Sequence, residues 1–541
     1  MIHGVILTDN TYNNLDITCH RGSGAHKIAS HLRQHGYNIE VVDYCLSWTQ
    51  QELEQLMSEL VTDDTVFLGI GSNLFLDRST FDDNIRWFKN RYPSVSVILG
   101  GNQTLTRSIP CVDYYVEGYA ENAMLHLLDY LRGKINHNEI RWSTAFDKNL
   151  IDATSDYGPV DTTDLTIKYL PSDFLRPEQT LGLETARGCI FKCKFCTYPL
   201  IGKNKLDYIR DPDTIVRELQ DNYDQWGITN YLINEDTFND SIEKLELLER
   251  AITSLPFKIN FTAYARLDLI LAKPQSVELL RNMGLRGIHF GVETFNKDAG
   301  RLIGKGLSGQ RLKDGLVWWK EQMPEVATVC SMIVGIPGDT SDYHAENAWF
   351  ATSGVDFWYW QPLYITKEDQ TIHTSEFSRD YDKYGLEIMS AAEVSAEVRN
   401  LWKLEYQYKN KSHPFTYRPF IDENFRSKVG YWKDAKAGQN YFTVLKTSCE
   451  LNQNAVDRRV SAWTMFDYVS LGYSINEIRT WGYGRSKYTP EPSLDEMKQR
   501  AVERINEYKS KKLAHDYTSY YQHSRPIRCT VPIVQVNGPI A

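Results

Sequence analysis

Short, continuous apolar runs alternate with amphipathic helical segments along this chain, and the alternation occurs twice, on either side of a polar, proline-bearing stretch. Strands buried on both faces read as unbroken apolar runs, and parallel strands are joined by helices. The pattern predicts an α/β protein. Its parts are a doubly wound sheet domain over residues 1–135, a connector over 136–180, six βα units over 181–370 and a mainly helical region over 371–541. A length of 541 residues suits about three domains better than one core.

In the first region, strands are expected at Gly4–Thr8, Asn38–Asp43, Thr65–Gly69, Val95–Leu99 and Tyr114–Val116. Helices are expected at Ala25–His35, Gln50–Leu60, Phe81–Asn90 and Glu121–Arg132. Doubly wound sheets bind ligands beyond the carboxyl ends of their strands. Here those ends are Asp9-Asn10-Thr11, Gly69-Ile70-Gly71-Ser72-Asn73, Gly100-Gly101-Asn102-Gln103-Thr104 and Glu117-Gly118-Tyr119. The segment Arg21-Gly-Ser-Gly-Ala-His-Lys27 fits neither of the usual phosphate-binding glycine spacings.

The second alternation places strands at Leu181–Thr185, Tyr231–Asn234, Ile259–Ala265, Gly287–Val292, Val329–Val334 and Phe357–Leu363. Helices fall at Pro212–Asn222, Ile242–Ile252, Pro274–Asn282 and Gly309–Glu321. Directly after the first of these strands come Cys189, Cys193 and Cys196, separated by three and then two residues. One loop can close three thiolates around one inorganic centre at that spacing. A cubic iron–sulfur cluster takes four cysteines when its ligand set is complete. With no fourth cysteine nearby, one iron is left open, as a catalytic centre requires. A structural zinc or a chance group of buried thiols is the alternative reading of the triplet alone.

The C-x3-C-x2-C spacing, with Phe195 before the last cysteine, resembles the signature of radical S-adenosylmethionine (SAM) enzymes. The resemblance implies a [4Fe-4S] cluster on Cys189, Cys193 and Cys196 whose open iron chelates SAM, within a partial (β/α)6 TIM-like barrel. Further segments match in order at strand ends, where barrels of this kind place their chemistry. Glu235-Asp236-Thr237-Phe238 is similar to an acidic D-D-x-F segment that meets the amino group of SAM, with Asp236 favoured over Glu235. Arg266, after Tyr264-Ala265, matches an arginine near the methionine carboxylate, a task that suits a two-toothed guanidinium. Gly291-Val292-Glu293 resembles the segment whose glutamate holds the ribose hydroxyls. Strand alternation then puts His289 and Gly291 on the face of Glu293, and Asn260, Thr262 and Tyr264 on one face of the preceding strand. Gly291 leaves room for a ligand. His289 becomes a residue for substrate or proton handling, against the alternative of a hydrogen-bonded core histidine. Lys305-Gly306 and Gly335-Ile-Pro-Gly-Asp339-Thr340 complete the match, with aspartate where the family often has glutamate.

The first region is similar to the Rossmann-like cobalamin-binding domain that precedes the radical core in one branch of the family. Gly100-Gly101 and Val116-Glu117-Gly118-Tyr119-Ala120-Glu121 carry that likeness, with Ser72 and Asn73 as further cofactor contacts. Gln103 and Tyr119 depart from the branch's usual histidine and glutamate, and no Asp-x-His-x-x-Gly is present. A Rossmann-like domain that binds no corrin is the alternative. With cobalamin, the resemblance implies methyl transfer to an unactivated carbon. The same two domains also support cyclisation, rearrangement or thioether chemistry, and a non-catalytic iron–sulfur protein or inactive scaffold is the reading from another class.

A net charge of -10 gives no footprint for nucleic-acid backbone, though it leaves room for a structured nucleic acid held by a local patch; the substrate is unassigned, with a small molecule or peptide favoured over nucleic acid. The resemblance adds an electron donor such as flavodoxin or ferredoxin. No apolar run is long enough to cross a bilayer, and Met1-Ile-His-Gly-Val-Ile-Leu reads as a strand rather than a leader. The other six cysteines are scattered singly, which points to a reducing, cytoplasmic setting. The helical region, aromatic-rich at Trp402–Trp432 and Ala462–Trp481, reads as a cap or a substrate lid.

Overall fold

The structure, a computed structural model, describes residues 2–8, 21–43, 45, 50–71, 79–101, 111–143, 149–153, 166–170, 173, 175, 180–191, 193, 195–196, 208–334, 336, 339–342, 345–346, 349–350, 353–355 and 357–362. The region over 371–541, Ser72, Asn73, Gln103 and most of the Gly335–Gly338 turn lie outside these residues.

The first sheet is built from β1 (Gly4–Leu7), β2 (Ile39–Val42), β3 (Phe67–Gly71), β4 (Ser96–Gly100), β5 (Tyr114–Glu117) and β6 (Leu150–Asp152). All neighbours pair in parallel, in the order β2-β1-β3-β4-β5-β6. Helices α1 (Ser23–Gln34), α2 (Gln50–Leu60), α3 (Ser79–Arg91) and α4 (Glu121–Leu131) supply the crossovers. Alternation along each strand divides the core. Val5, Leu7, Leu68, Ile70, Val97 and Leu99 pack under α2 and α3. Ile6, Ile98 and Val116 pack with Ala29 and Leu32 of α1 and Met124, Leu127 and Leu128 of α4. The direction of winding reverses between β1 and β3, so their carboxyl ends flank the crevice where doubly wound sheets bind ligands. Within the segment 136–180, read from the sequence as a connector, Leu150–Asp152 extends the sheet by pairing Leu150 with Tyr115 and Asp152 with Glu117.

The second sheet runs β7 (Thr180–Leu183), β8 (Asn230–Ile233), β9 (Asn260–Ala265), β10 (Leu285–Glu293), β11 (Ala327–Val334) and β12 (Phe357–Pro362). Its strands are parallel and lie in chain order. Between them come α5 (Pro212–Trp226), α6 (Ile242–Thr253), α7 (Leu267–Ala272), α8 (Ser276–Met283), α9 (Lys297–Leu302) and α10 (Gly309–Gln322). Their ends follow from local chemistry. The Asp211 carboxylate accepts from the Thr214 backbone N–H (3.0 Å) with Pro212 opening α5. Ser241 caps α6, and Asn296 caps α9 by accepting from Asp298 and Ala299. The core between sheet and helices is continuous, from Leu183 and Tyr231 to the fully buried Trp319, whose indole donates to Thr328.

The two sheets meet through α1. Ser23 at its start accepts a hydrogen bond from Asn234 beyond β8 (2.6 Å), and a Cβ on Gly182 of β7 would collide with both side chains. Further along, Ser30 accepts from the Lys168 backbone N–H (2.9 Å). At the same seam Asp43, beyond β2, is held by Arg21 (2.6 Å) and His26 (3.0 Å), with Asp173 alongside. His26, Asp43 and Asp173 have the spacing of metal ligands, but the Arg21 guanidinium already supplies a cation to Asp43. No helix among the described residues is long and apolar enough to cross a membrane.

Candidate active site

The cysteine loop leaves from the end of β7. Its base is closed where Ala186 bridges Ile209 in antiparallel fashion and the Arg210 N–H donates to Thr185 O (2.9 Å). Within it the Cys196 N–H donates to Cys193 O (3.0 Å), a turn that brings those two residues together. Two aromatic residues pin the loop over the strand ends. Phe195 packs on Ala299, Ile303, Ile333 and Ile336, which ties it to α9 and the end of β11. Phe191 lies under the Arg266 guanidinium, 4.1 Å from ring centroid to Cζ.

All three cysteines are partly exposed rather than sunk in the core. Cys189 Sγ lies 3.5 Å from Thr237 Oγ1, beyond β8, and Cys193 Sγ lies 3.6 Å from Arg266 Nη1, beyond β9. A hydroxyl and a guanidinium beside the sulfurs suit thiolate ligands, whose charge they would temper. Ligands of one tetrahedral zinc sit about 4 Å apart, given Zn–S of about 2.3 Å. Among the described residues three potential ligand atoms come within 4.8 Å of one another only at His26, Asp43 and Asp173. The three thiols are not in that group, and three cysteines on one loop are the donor set of a cluster with one iron left without a protein ligand.

The acidic pair beyond β8 splits. Glu235 is buried and accepts from the Thr185 backbone N–H (3.1 Å), the Thr185 hydroxyl and the Lys244 ammonium. Burial raises its pKa to about 7 against the pull of Lys244. Both of its oxygens are engaged within the wall between β7, β8 and α6. Asp236 is the partly exposed member of the pair.

Arg266, beyond β9, is held on two sides. Its Nε and Nη2 donate to Asp268 (3.0 and 2.7 Å), so the two-toothed edge is held within the chain and Nη1 faces the cysteine loop. Asn239 clamps the Arg266 backbone by donating to its O and accepting from its N–H, both at 2.8 Å. Tyr264 is partly exposed, and its ring packs at 4.9 Å against that of His289.

At the end of β10 the register slips between Gly291 and Glu293, and Glu293 takes φ 67. Left-handed backbone at a glutamate is a strained conformation of the kind that clusters at functional sites. The turn is held by Thr294 donating to Asp339 (2.9 Å). The glutamate thereby folds back, and its Oε1 would lie 2.6 Å from a Cβ on Gly291. Lys305 pairs with Glu293 (3.2 Å) and donates to Gly291 O (2.9 Å). His289 is 4% exposed, and burial, aided by Lys305, pushes its pKa down to about 3. It is a neutral imidazole at physiological pH, which suits a packing role better than proton delivery.

At the edge of the first sheet, Gly100 ends β4, while Gly101 and Gly118 take positive φ beyond β4 and β5. Burial and the neighbouring Asp152 raise the pKa of Glu117 there. A cluster that sequence reasoning missed joins this edge to the cysteine loop. Lys27 of α1 pairs with Glu184, Arg187 pairs with Glu184 (3.0 Å) and Glu121, and Arg187 lies over the Tyr119 ring at 4.6 Å. The only local sign was a set of charges in apolar surroundings.

The profile of the radical SAM superfamily matches residues 183–348. An uncharacterized methyltransferase of Pyrococcus horikoshii is 25% identical over 271 residues, which cover 47% of this chain and 57% of that protein. The chain thus spans little more than half the length of that curated relative. The radical SAM methyltransferase TsrM of Kitasatospora setae, solved with cobalamin and a [4Fe-4S] cluster, superposes with TM-score 0.51 at 16% identity. The alignment covers 67% of this chain and 72% of TsrM. The cobalamin-dependent SAM radical enzyme OxsB, solved with aqua-cobalamin and SAM, gives TM-score 0.50 at 14% identity, over 96% of this chain and 80% of its own. These two likenesses concern the fold. The three thiols lie on the loop leaving β7, at the start of the stretch over which the chain is similar to the radical SAM superfamily, residues 183–348.

Proposed function

We propose that this chain is a radical SAM enzyme that transfers a methyl group to an unactivated carbon of a small molecule or peptide, with a [4Fe-4S] cluster and cobalamin as cofactors. One observation carries the reading: a three-thiol loop lies across the carboxyl ends of strands that also present Asp236, Arg266 and Glu293, the last paired with Lys305. When bound, the cluster supplies an electron to the sulfonium of SAM to release a 5′-deoxyadenosyl radical, and cobalamin carries the methyl group.

The protein's part is placement. Cys189, Cys193 and Cys196 hold the cluster and leave one iron open to SAM. Asp236 receives the amino group and Glu293 the ribose hydroxyls, with Lys305 fixing Glu293 from the side. Gly291 keeps the approach clear, and Arg266 Nη1 lies where a carboxylate near the cluster would meet it. The six sequential strands would form the family's partial (β/α)6 barrel. The crevice between β1 and β3, with Gly100, Gly101 and Gly118 along the same edge, is where a corrin would lie. That cobalamin assignment draws on the sheet order and on the two folds reported above. Flavodoxin or ferredoxin would serve as electron donor in a cytoplasmic setting.

The test is anoxic incubation of the reconstituted, cobalamin-loaded protein with SAM carrying a deuterated methyl group and an extract of candidate substrates. A product heavier by the labelled methyl, formed with 5′-deoxyadenosine, is expected. Release of 5′-deoxyadenosine with an unlabelled, rearranged product would replace methylation by another radical reaction.

A further inference from the structure

We propose that Arg187 is a positioning residue through which the first domain sets the placement of the cysteine loop. The proposal rests on the radical SAM reading above and adds a mechanical link that the family's cluster and SAM contacts do not include.

Arg187 stands two residues before Cys189 and is 5% exposed. All three nitrogens of its guanidinium donate to carboxylates. Nη1 and Nη2 donate to the two oxygens of Glu121 (3.3 Å for the former), and Nε donates to Glu184 (3.0 Å). Its flat face lies over the Tyr119 ring. Glu121 opens α4, where a carboxylate is favoured by the helix dipole, and Glu184 is held from the other side by Lys27 of α1. Helices α1 and α4, on one face of the first sheet, therefore grip the same short segment. Two cations and two anions alternate, so the seam is neutral overall.

Placing four buried charges at a domain seam is costly in desolvation, and an apolar seam of the same area would hold the domains as firmly. What the charges add is direction. A bidentate guanidinium fixes both distance and orientation, and removing one partner leaves a buried charge uncompensated. Tyr119 follows Gly118 at the carboxyl edge of the first sheet, and the field of Asp236 reaches its hydroxyl. A shift at the ligand edge of the first sheet would thus pass through Tyr119 and Arg187 to the exit of β7 and on to Cys189.

The experiment uses the full chain, with Arg187→Met and Arg187→Lys to remove or blunt the fork and Glu121→Gln as an isosteric second variant. Amide exchange is followed on the peptide spanning the cysteine loop and on the β9 peptide, with and without reconstituted cluster. A link of this kind predicts about tenfold faster exchange in the loop for Arg187→Met and Glu121→Gln, little change in β9, and partial recovery with Arg187→Lys. In cobalamin-loaded protein the same variants should release more 5′-deoxyadenosine per methylated product than the parent, at unchanged iron content. Loop exchange equal to the parent in Glu121→Gln, or equal acceleration in loop and β9, would overturn the proposal. If the parent itself cleaves no SAM, the functional reading fails while the exchange comparison still decides the link.

Discussion

Adding one methyl group at Gly291 offers a direct probe of the SAM end of the site. A Cβ there would sit 2.6 Å from Glu293 Oε1 and 3.3 Å from Lys305 Nζ, so Gly291→Ala must displace the carboxylate. Gly291 does not have positive φ, and the atoms it would strike are the tips of two flexible side chains. The fold should accept the change, with a small gain from the less flexible unfolded chain. The Glu293–Lys305 pair is largely buried, and hydrogen bonds to charged groups contribute about 1.5–3 kcal/mol. Losing half of that hold on the ribose corresponds to roughly four- to twelvefold weaker SAM binding. Anoxic equilibrium dialysis of SAM against reconstituted protein measures it, with a thermal melt as control. A Kd within twofold of the parent, in a variant of unchanged Tm, would refute the placement of Glu293 at the SAM site.

Replacing Cys189, Cys193 or Cys196 singly by alanine should abolish the cluster's visible absorbance and SAM cleavage while circular dichroism stays unchanged, because none of the three lies in the core. Gly182→Val should destabilise the chain by about 1–3 kcal/mol in denaturant melts, since the new side chain overpacks the contact with Ser23 and Asn234. His289 predicts a pH effect. Its folded pKa is lowered from 6.5 to about 3, so the stability it confers is full above pH 6.5 and is lost as pH falls toward 3. The slope approaches about 1.4 kcal/mol per pH unit. Urea melts of His289→Asn between pH 7 and 5 should show a shallower decline than the parent; equal slopes would mean that the imidazole is not held neutral.

Most strands were legible because each is an apolar run long enough to fill a ladder, as in Val95–Leu99 or Gly287–Val292. The strand Leu150–Asp152 was not, since three residues in a polar stretch carry no period and its place is set by pairing with β5. The same limit applies at the site. The cysteine spacing is local and can be read directly, whereas the division of labour between Glu235 and Asp236 depends on Lys244, nine residues from Glu235 and on another element. Alternation along β10 placed His289 and Gly291 together, but the slip before Glu293 breaks the period there. The partners of Arg187 lie 66 residues away in the case of Glu121, and no local pattern announces a pairing across that distance. The aromatic-rich segments beyond residue 371, where a helical cap or a substrate lid was expected, lie outside the described residues.

The central claim is an iron cluster with one corner open to SAM. Anoxic reconstitution followed by iron and sulfide analysis, dithionite reduction and electron paramagnetic resonance with and without SAM tests it most directly. The account predicts about four iron and four sulfide per chain, a spectrum that changes when SAM is added, and 5′-deoxyadenosine among the products. A single zinc per chain, or a cluster whose spectrum ignores SAM, would contradict it.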